Sequence, residues 1–238
     1  MRALPLLLLA GSAAAGCATT AAGETRTDEA PVVIELFTSQ GCSSCPPADE
    51  LLGKLAHAGQ VNGRRVAPLM FHVDYWNDLG WPDPYSLPAW TERQHQYAVA
   101  LGDDRVYTPE LVVAGAQGMV GSQWAKVTGA IATAPKQQRV AAKATWTDGK
   151  LTVEATAPAD ADILVAVWED GTRTQVPRGE NAGTTMIGER VVRRLERVAE
   201  AGKTGSVTVA LGPWKASGAV AFAQRRDKRI IGATLLPR

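Results

Sequence analysis

The chain has 238 residues, of which 45% are hydrophobic and 21% are charged, an ordinary composition for a globular protein. This composition argues against a disordered or fibrous protein, and the length suffices for one large or two modest domains. The 25 Lys and Arg residues balance 24 Asp and Glu residues without a long basic run, so nucleic acid is excluded as an expected partner.

Residues 1–16 have the pattern of a signal peptide: Arg2, an apolar stretch from Leu4 to Ala10, and small residues up to Gly16. The next residue, Cys17, completes Ala-Ala-Gly-Cys, which resembles a bacterial lipobox. We therefore expect an exported, periplasmic protein that is tethered to the membrane by lipid on Cys17. The alternative is ordinary signal cleavage further on, near Ala22, which would discard Cys17.

Both outcomes leave the mature chain with a single thiol pair, Cys42 and Cys45, in a C-x-x-C motif. Structural disulfides persist outside the cytoplasm, but no third thiol remains here to connect distant segments. The only possible intramolecular disulfide is therefore a local one.

After a flexible tether over residues 17–31, the pattern from 32 to 135 predicts an α/β domain. Its elements are predicted in the order strand, helix, strand, helix, strand, strand, helix: Val32–Phe37, Ser43–Ala58, Val66–Val73, Pro88–Leu101, Leu111–Ala114, Gln117–Val120 and Ser122–Ala134. A long aromatic loop, Asp74–Leu87, separates the second strand from the second helix. Its aromatic residues predict either the packed underside of a lid or an apolar rim for a substrate.

The spacing of apolar residues then changes to one typical of strands, and residues 140–238 are predicted to form a mostly β domain. Asp148-Gly149 and Asp170-Gly171 each lie between two apolar runs and predict two hairpins. The segment from Gly188 to Ala201 fits either a strand or a helix. Further strands are predicted at Val207–Leu211, Ala219–Gln224 and Ile230–Leu235.

The predicted helix start gives the two thiols different chemistry. Unpaired amide groups and the positive end of the helix dipole stabilise a thiolate at Cys42, which makes Cys42 the expected nucleophile. Cys45 lies about one helical turn further on and can attack the mixed disulfide that Cys42 forms with a substrate.

Two other interpretations of the motif stay open. The pair can be half of a metal site, and the most serious form is copper held by Cys42, Cys45 and His72, because thiolates and imidazole suit copper. His72 and Asp74 end a predicted strand at the sheet edge where Cys42 emerges, so they can border the site. The pair can also be a non-catalytic feature of an interaction module.

The strand-turn-C-x-x-C-P-helix pattern, together with the later Tyr107-Thr108-Pro109, resembles the thioredoxin superfamily. More closely, the chain resembles the exported family catalogued as domain of unknown function 1223. The matching stretches are Glu35–Asp49, His72–Trp76, Leu79–Trp81, Arg93-Gln94 with Tyr97, Tyr107–Pro109 and Gly179–Gly183.

The resemblance implies an α/β thioredoxin-like domain followed by a mostly β domain. It also implies a cis Thr108–Pro109 bond facing the dithiol, with Thr108 binding an extended substrate. Glu35 lies close to the position where thioredoxins keep a buried acid, so the resemblance implies that Glu35 accepts the proton of the resolving thiol through water. Gly179–Gly183 is expected to be a turn without chemistry.

These observations together predict a periplasmic thiol–disulfide oxidoreductase that uses Cys42 and Cys45 and needs no organic cofactor. Its partners are expected to be protein or small-molecule thiols and disulfides and a redox partner protein. Whether the site reduces, oxidises or isomerises depends on the stability of the Cys42 thiolate and on those partners. The alternative function is a copper-handling or non-catalytic module on the same fold.

Overall fold

The computed structural model describes Met1, residues 29–214 and residues 216–238. The predicted signal peptide after Met1, Cys17 and most of the predicted tether lie outside the described residues.

The described chain contains three helices and fourteen strands. The helices are α1 (Pro46–Ala58), α2 (Pro88–Leu101) and α3 (Trp124–Thr133). The strands are β1 (Val32–Thr38), β2 (Gln60–Val61), β3 (Arg64–His72), β4 (Glu110–Val113), β5 (Gln117–Val120), β6 (Ala142–Thr147), β7 (Lys150–Thr156), β8 (Ala161–Glu169), β9 (Thr172–Gln175), β10 (Thr185–Gly188), β11 (Val191–Ala199), β12 (Thr204–Ala210), β13 (Ser217–Arg225) and β14 (Ile230–Leu236).

A single mixed sheet organises the fold, with strands in the order β14-β13-β8-β11-β3-β1-β4-β5 and with β2 paired to β3. Strand β1 is parallel to β3 and antiparallel to β4. The regions 32–135 and 140–238 both contribute strands to this sheet, and they meet where Val191 of β11 pairs with Met70 of β3. The protein is therefore a mixed α/β structure that is rich in strands and poor in helices.

Every residue of β1 is buried because both faces of this part of the sheet are covered. Ile34 and Leu36 pack with residues of α1 and α3 on one face. Val33 and Phe37 point to the other face, where they join α2 and the inner side chains of β8 and β13. The alternation of side chains along β1 thus assigns each of its residues to one of two separate cores.

A second, three-stranded sheet in the order β12-β7-β6 covers the remaining part of the large sheet. Its Leu151 and Val153 pack against Ile163, Val165 and Val167 of β8 in a third core. Strand β9 pairs with β10 to form a separate two-stranded ribbon.

The structure confirms one of the two predicted hairpins and contradicts the other. Strands β6 and β7 pair around Asp148-Gly149, but β8 pairs with β11 and β13 instead of β9. The contacts of Asp170 explain the difference. Its carboxylate accepts hydrogen bonds from the Trp168 indole and the Arg190 amide, so the chain after β8 leaves the large sheet at this residue.

The segment with the ambiguous pattern, Gly188–Ala201, contains strand β11. None of the three helices in the described part of the chain has the length and apolarity needed to span a bilayer.

Gly115, in the turn between β4 and β5, allows the C-terminal hairpin to approach closely. Its φ is +64°, and a Cβ at this position would overlap the carbonyl oxygen of Lys228. Beside it, the amide of Ile230 donates to the carbonyl of Ala114 at 2.8 Å. The β4–β5 turn and the C-terminal hairpin are therefore joined at a point that has no room for a side chain.

We expect Gly115→Ala to lower the free energy of unfolding more than Gly149→Ala, measured by urea denaturation. Gly149 has a φ of +72°, and a Cβ there would have no atom within 4 Å, so its substitution reports backbone strain alone. That strain costs about 1–2 kcal/mol, and the overlap with Lys228 should add about 1–3 kcal/mol. Equal losses in the two variants would contradict the importance of the close approach.

Candidate active site

The two cysteines lie where β1 leads into α1. After Thr38, a tight turn brings the amide of Cys42 within 3.2 Å of the Ser39 carbonyl, while the Ser39 hydroxyl accepts from the Gly41 amide at 3.1 Å. Cys45 immediately precedes α1 and is disulfide-bonded to Cys42, with the two Cα atoms 5.5 Å apart. Both cysteines are fully buried in this state.

Fewer backbone amide groups are free to donate to the cysteine sulfurs than the sequence pattern predicts. Pro46 and Pro47 have no N–H group, and the amides of Ala48 and Asp49 donate to the carbonyl of Cys45. The polar side chain beside the Cys42 sulfur is Ser44, whose Oγ lies 3.3 Å away. The helix dipole still favours negative charge here, but a side-chain hydroxyl replaces part of the expected amide cradle.

The Thr108–Pro109 peptide bond is cis, in agreement with the expectation from the resemblance. The Thr108 carbonyl oxygen lies 3.9 Å from the Cys42 sulfur and accepts a hydrogen bond from Ser44 at 3.4 Å. The segment that begins β4 therefore faces the dithiol across a short gap, although Thr108 follows Cys42 by 66 residues.

Trp76 connects the two sides of this gap. Its indole Nε1 donates to Thr108 Oγ1 at 2.8 Å, and its Cβ lies so close to Gly41 that a side chain there would meet it at 3.1 Å. Trp76 is partly buried, so the aromatic residue of the long loop packs over the site and is not simply an exposed rim.

The loop Gly179–Gly183, expected to be only a turn, belongs to the site. The Asn181 side-chain amide donates to the carbonyls of both Gln40 and Cys42 at 2.9 Å. The neighbouring Glu180 carboxylate accepts from the amide of Ser43 at 2.9 Å. This loop therefore holds the backbone on either side of Cys42, and it places an exposed negative charge near this residue.

Gln40 is a second anchor of the same turn. Its amide donates to Asp83 at 2.7 Å, its side-chain Nε2 donates to Thr174 at 3.0 Å, and its Oε1 accepts from the Trp81 indole at 3.1 Å. The aromatic loop and strand β9 are thereby tied to the turn before the dithiol.

Asp83 also bonds to His72 Nδ1 at 2.6 Å, and both side chains are buried. Burial lowers the pKa of His72, but the neighbouring Asp83 carboxylate outweighs burial and raises it above its usual value. Burial likewise raises the pKa of Asp83, and His72 with two backbone amides outweighs it, so that the pKa is lowered. Each of the two groups therefore favours the charged form of the other.

Asp74, predicted to border the site, instead bonds to Thr91 at the start of α2.

Asp49, on the buried face of α1, is an acid that the sequence pattern did not mark as part of the site. The Thr38 hydroxyl donates to its Oδ1 at 2.6 Å. Burial raises the pKa of Asp49 to about 7, against the opposing effects of the Thr38 hydrogen bond and the nearby His72. This carboxyl group therefore titrates near neutral pH.

The structure corrects the expectation for Glu35. Its side chain points to the face of β1 that packs against α2, opposite to α1 and the dithiol. There it forms a buried ion pair with Arg93 at 2.8 Å and accepts a short hydrogen bond from Tyr97. The alternation of side chains along a strand explains the error. Glu35 lies on the same face of β1 as Val33 and Phe37, whereas Thr38 lies on the other face, toward α1.

The alternative metal site is not assembled in this structure. His72 directs Nδ1 to Asp83, and the described residues contain no group of three His, Cys, Asp or Glu side chains arranged to hold a metal ion.

These features define a mixed α/β protein with a disulfide-bonded C-x-x-C pair at a sheet edge. The chain belongs to the family described as "Protein of unknown function (DUF1223)", whose model matches residues 33–224. No curated protein matches it.

Two solved structures are similar. Protein AGR_C_4864 from Agrobacterium tumefaciens has 29% identity and a TM-score of 0.68, over 87% of this chain and 95% of that chain. HBP35 of Porphyromonas gingivalis has 15% identity and a TM-score of 0.62, over 87% of this chain and 75% of that chain, and it shows likeness of fold alone.

We expect Asn181→Ala to lower the free energy of unfolding of the oxidised protein by about 1–3 kcal/mol, because the buried carbonyls of Gln40 and Cys42 lose their shared donor. Urea denaturation measures the loss. Gln175→Ala is the matched control, since its amide makes an exposed bond to Gly183 at 3.3 Å. A loss no larger than that of the control would contradict the anchoring role of Asn181.

Proposed function

We propose that the protein is an exported thiol–disulfide oxidoreductase of the thioredoxin-like type. One observation carries the proposal: the Cys42–Cys45 pair lies at the start of α1 and faces the Thr108–Pro109 segment across 3.9 Å. The strand and helix order from β1 to α3 supports a thioredoxin-like unit within the larger sheet. The signal-like N-terminal sequence supports export, with Cys17 as the proposed lipid anchor.

In the reducing direction, the Cys42 thiolate attacks a substrate disulfide, forms a mixed disulfide and releases one substrate thiolate. The Cys45 thiolate then attacks the Cys42 sulfur, which forms the Cys42–Cys45 bond and releases the second substrate thiolate. Two electrons pass from the dithiol to the substrate, and a redox partner protein returns them. The oxidising direction runs the same steps in reverse.

The roles of the two cysteines follow from their surroundings. The Cys42 sulfur has Ser44 Oγ at 3.3 Å and the Thr108 carbonyl at 3.9 Å, both from exposed or half-buried residues. Cys45 instead begins the helix and lies against its first buried turn. A protein or small-molecule thiol therefore reaches Cys42 first, and Thr108 is placed to contact it.

Both sulfurs are buried in the disulfide form, so exchange requires a local movement of the groups around them. Trp76 has the bulkiest side chain among these groups. It contacts Gly41 on one side of the site and Thr108 on the other. Displacing its indole from Thr108 would break one hydrogen bond and open the gap between the two sides of the site.

Equilibration of the purified protein with glutathione buffers tests the proposal. We expect two-electron exchange with a defined reduction potential, and a Cys45→Ser variant that retains a mixed disulfide with glutathione through Cys42. Cys42→Ser is the control, and it should trap much less, because the Thr108 segment faces Cys42. A pair that stays oxidised in every buffer and traps no thiol would refute the proposal.

Access to the disulfide gives a separate prediction. Trp76→Ala should raise the rate of reduction by dithiothreitol roughly tenfold, equivalent to about 1.4 kcal/mol in the barrier, because the largest group over the site is removed. Trp124→Ala, which removes an indole that is 49% exposed on α3, is the control and should not change the rate. An unchanged rate in Trp76→Ala would show that Trp76 does not limit access.

A further inference from the structure

Asp49 lies one helical turn after Cys45 on the same buried face of α1. The Asp49 amide donates to the Cys45 carbonyl at 3.1 Å, which fixes the four-residue spacing of the two residues. Side chains four residues apart on a helix are neighbours, and each tilts toward the N-terminus. This spacing therefore puts the Asp49 side chain on the same face of α1 as Cys45.

The groups that face Asp49 come from three other parts of the chain. Thr38, at the end of β1, donates its hydroxyl to Asp49, and His72 is the register partner of Thr38 on β3. His72 is 3% exposed, and its Nε2 has no hydrogen-bond partner among the described residues. Asp83 adds a negative charge from the aromatic loop, and Arg193 of β11 adds a positive charge that acts on His72.

These contacts describe a polar layer between the ends of β1 and β3 and the start of α1. The layer is enclosed by the buried residues Thr38, Asp49, His72 and Asp83. Two other buried acids near β1 have different surroundings: Glu35 lies on the opposite face of the sheet and pairs with Arg93, and Glu110 of β4 accepts a hydrogen bond from Gln94. Asp49 thus combines a buried, titrating carboxyl group with a position next to Cys45.

We propose that Asp49 accepts the proton of Cys45 when this thiol attacks the mixed disulfide, and returns it when Cys45 leaves in the reverse reaction. Thr38 and the His72–Asp83 pair are positioning residues that hold the carboxyl group in place. This inference rests on the proposed oxidoreductase function, and it names the proton acceptor for that reaction.

The step balances as follows. The Asp49 carboxylate takes the proton from the Cys45 thiol, and the resulting thiolate attacks the Cys42 sulfur. The Cys42–Cys45 bond forms, the bond from Cys42 to the substrate breaks, and the substrate leaves as a thiolate. Asp49 then gives its proton to that thiolate or to solvent. We assign this role to Asp49 and not to His72, because Asp49 shares a helix face with Cys45, whereas His72 lies on β3 and is bonded through Nδ1 to Asp83 at 2.6 Å.

Reaction of the reduced full chain, carrying Cys17→Ser so that Cys42 and Cys45 are its only thiols, with 5,5′-dithiobis(2-nitrobenzoate) separates the two steps, because each thiol releases one nitrothiolate. In the wild type we expect a fast first phase from Cys42 and a second phase from Cys45 whose rate follows an ionisation near pH 7. Asp49→Asn should slow the second phase roughly 100-fold near neutral pH and abolish that ionisation, while the first phase is unchanged. Glu50→Gln, an exposed carboxylate on the same helix, is the matched control and should behave as the wild type.

Thr38→Val provides a second variant that leaves the carboxyl group in place. It removes the hydrogen bond that lowers the pKa of Asp49, so the ionisation of the second phase should move to higher pH without disappearing. A residue that only supports the fold would not shift this profile.

The outcomes separate the two proposals. If the wild type releases no nitrothiolate, or releases it without forming the disulfide, the oxidoreductase function fails. If exchange is normal and the second phase of Asp49→Asn keeps the wild-type rate and pH profile, only the role of Asp49 is overturned.

Urea unfolding at several pH values checks that Asp49→Asn folds and tests the same carboxyl group independently. Because folding raises the pKa of Asp49 from 3.8 to about 7, its unfolded form loses the proton first. The contribution of Asp49 to stability is therefore greatest below pH 4 and falls as the pH rises to about 7. Relative to Asp49→Asn, the wild type should lose stability across this range, and parallel pH profiles would contradict the buried, titrating carboxyl group.

Discussion

The turn between β1 and Cys42 depends on donors and acceptors that lie far away along the chain. Gln40 and Cys42 give their carbonyl oxygens to Asn181, which is 141 and 139 residues away, and the Gln40 amide uses Asp83, 43 residues away. Buried backbone groups without such partners are costly. The dithiol geometry is therefore a property of the assembled sheet and not of the C-x-x-C segment alone.

This dependence gives the strand-rich second half of the chain a structural role at the site. Strand β11 extends the sheet beside β3, and the connection between β9 and β10 carries Glu180 and Asn181 to the dithiol. On the opposite face, Arg93 of α2 joins Glu35 of β1 to Gln224 of β13 inside the second core. A buried pair of this kind is strongly destabilising to break, because removal of one partner leaves an unpaired charge. Both faces of β1 are thus tied to residues beyond position 140.

Much of the framework was predictable because it rests on local signals. Helix α2 has the predicted limits, Pro88–Leu101, since a proline opens it and Gly102 ends it in a left-handed conformation. Strand β1 and the cis Thr108–Pro109 bond also agree with expectation. The error at the second hairpin arose from long-range pairing: the sequence around Asp170-Gly171 has the pattern of a hairpin, but the Asp170 carboxylate bonds to the Trp168 indole and the Arg190 amide instead.

The site residues that sequence reasoning missed were of two kinds. Asn181 and Glu180 lie within a motif that the resemblance already included, but a polar turn gives no indication of which distant backbone it contacts. Asp49 is an acid in the first turn of a helix, where the helix dipole alone is a sufficient reason for a carboxylate. Its position four residues after Cys45, on the face formed by Leu52 and Leu55, was the available signal that this acid is buried.

Two carboxyl groups of the site, Glu180 and Asp49, have pKa values that are shifted in opposite directions, and their different burial explains this. Glu180 is exposed, and the Ser43 hydrogen bonds lower its pKa, so it stays charged beside the helix start where a Cys42 thiolate would form. Asp49 is buried, and its pKa of about 7 allows it to be neutral or charged under the same conditions. A fixed negative charge disfavours a thiolate at Cys42, whereas a protonated Asp49 does not add to that repulsion. For the oxidoreductase that we propose, we therefore expect the balance between reduced and oxidised dithiol to depend on the protonation of Asp49 and to shift with pH even where every exposed carboxylate is already ionised.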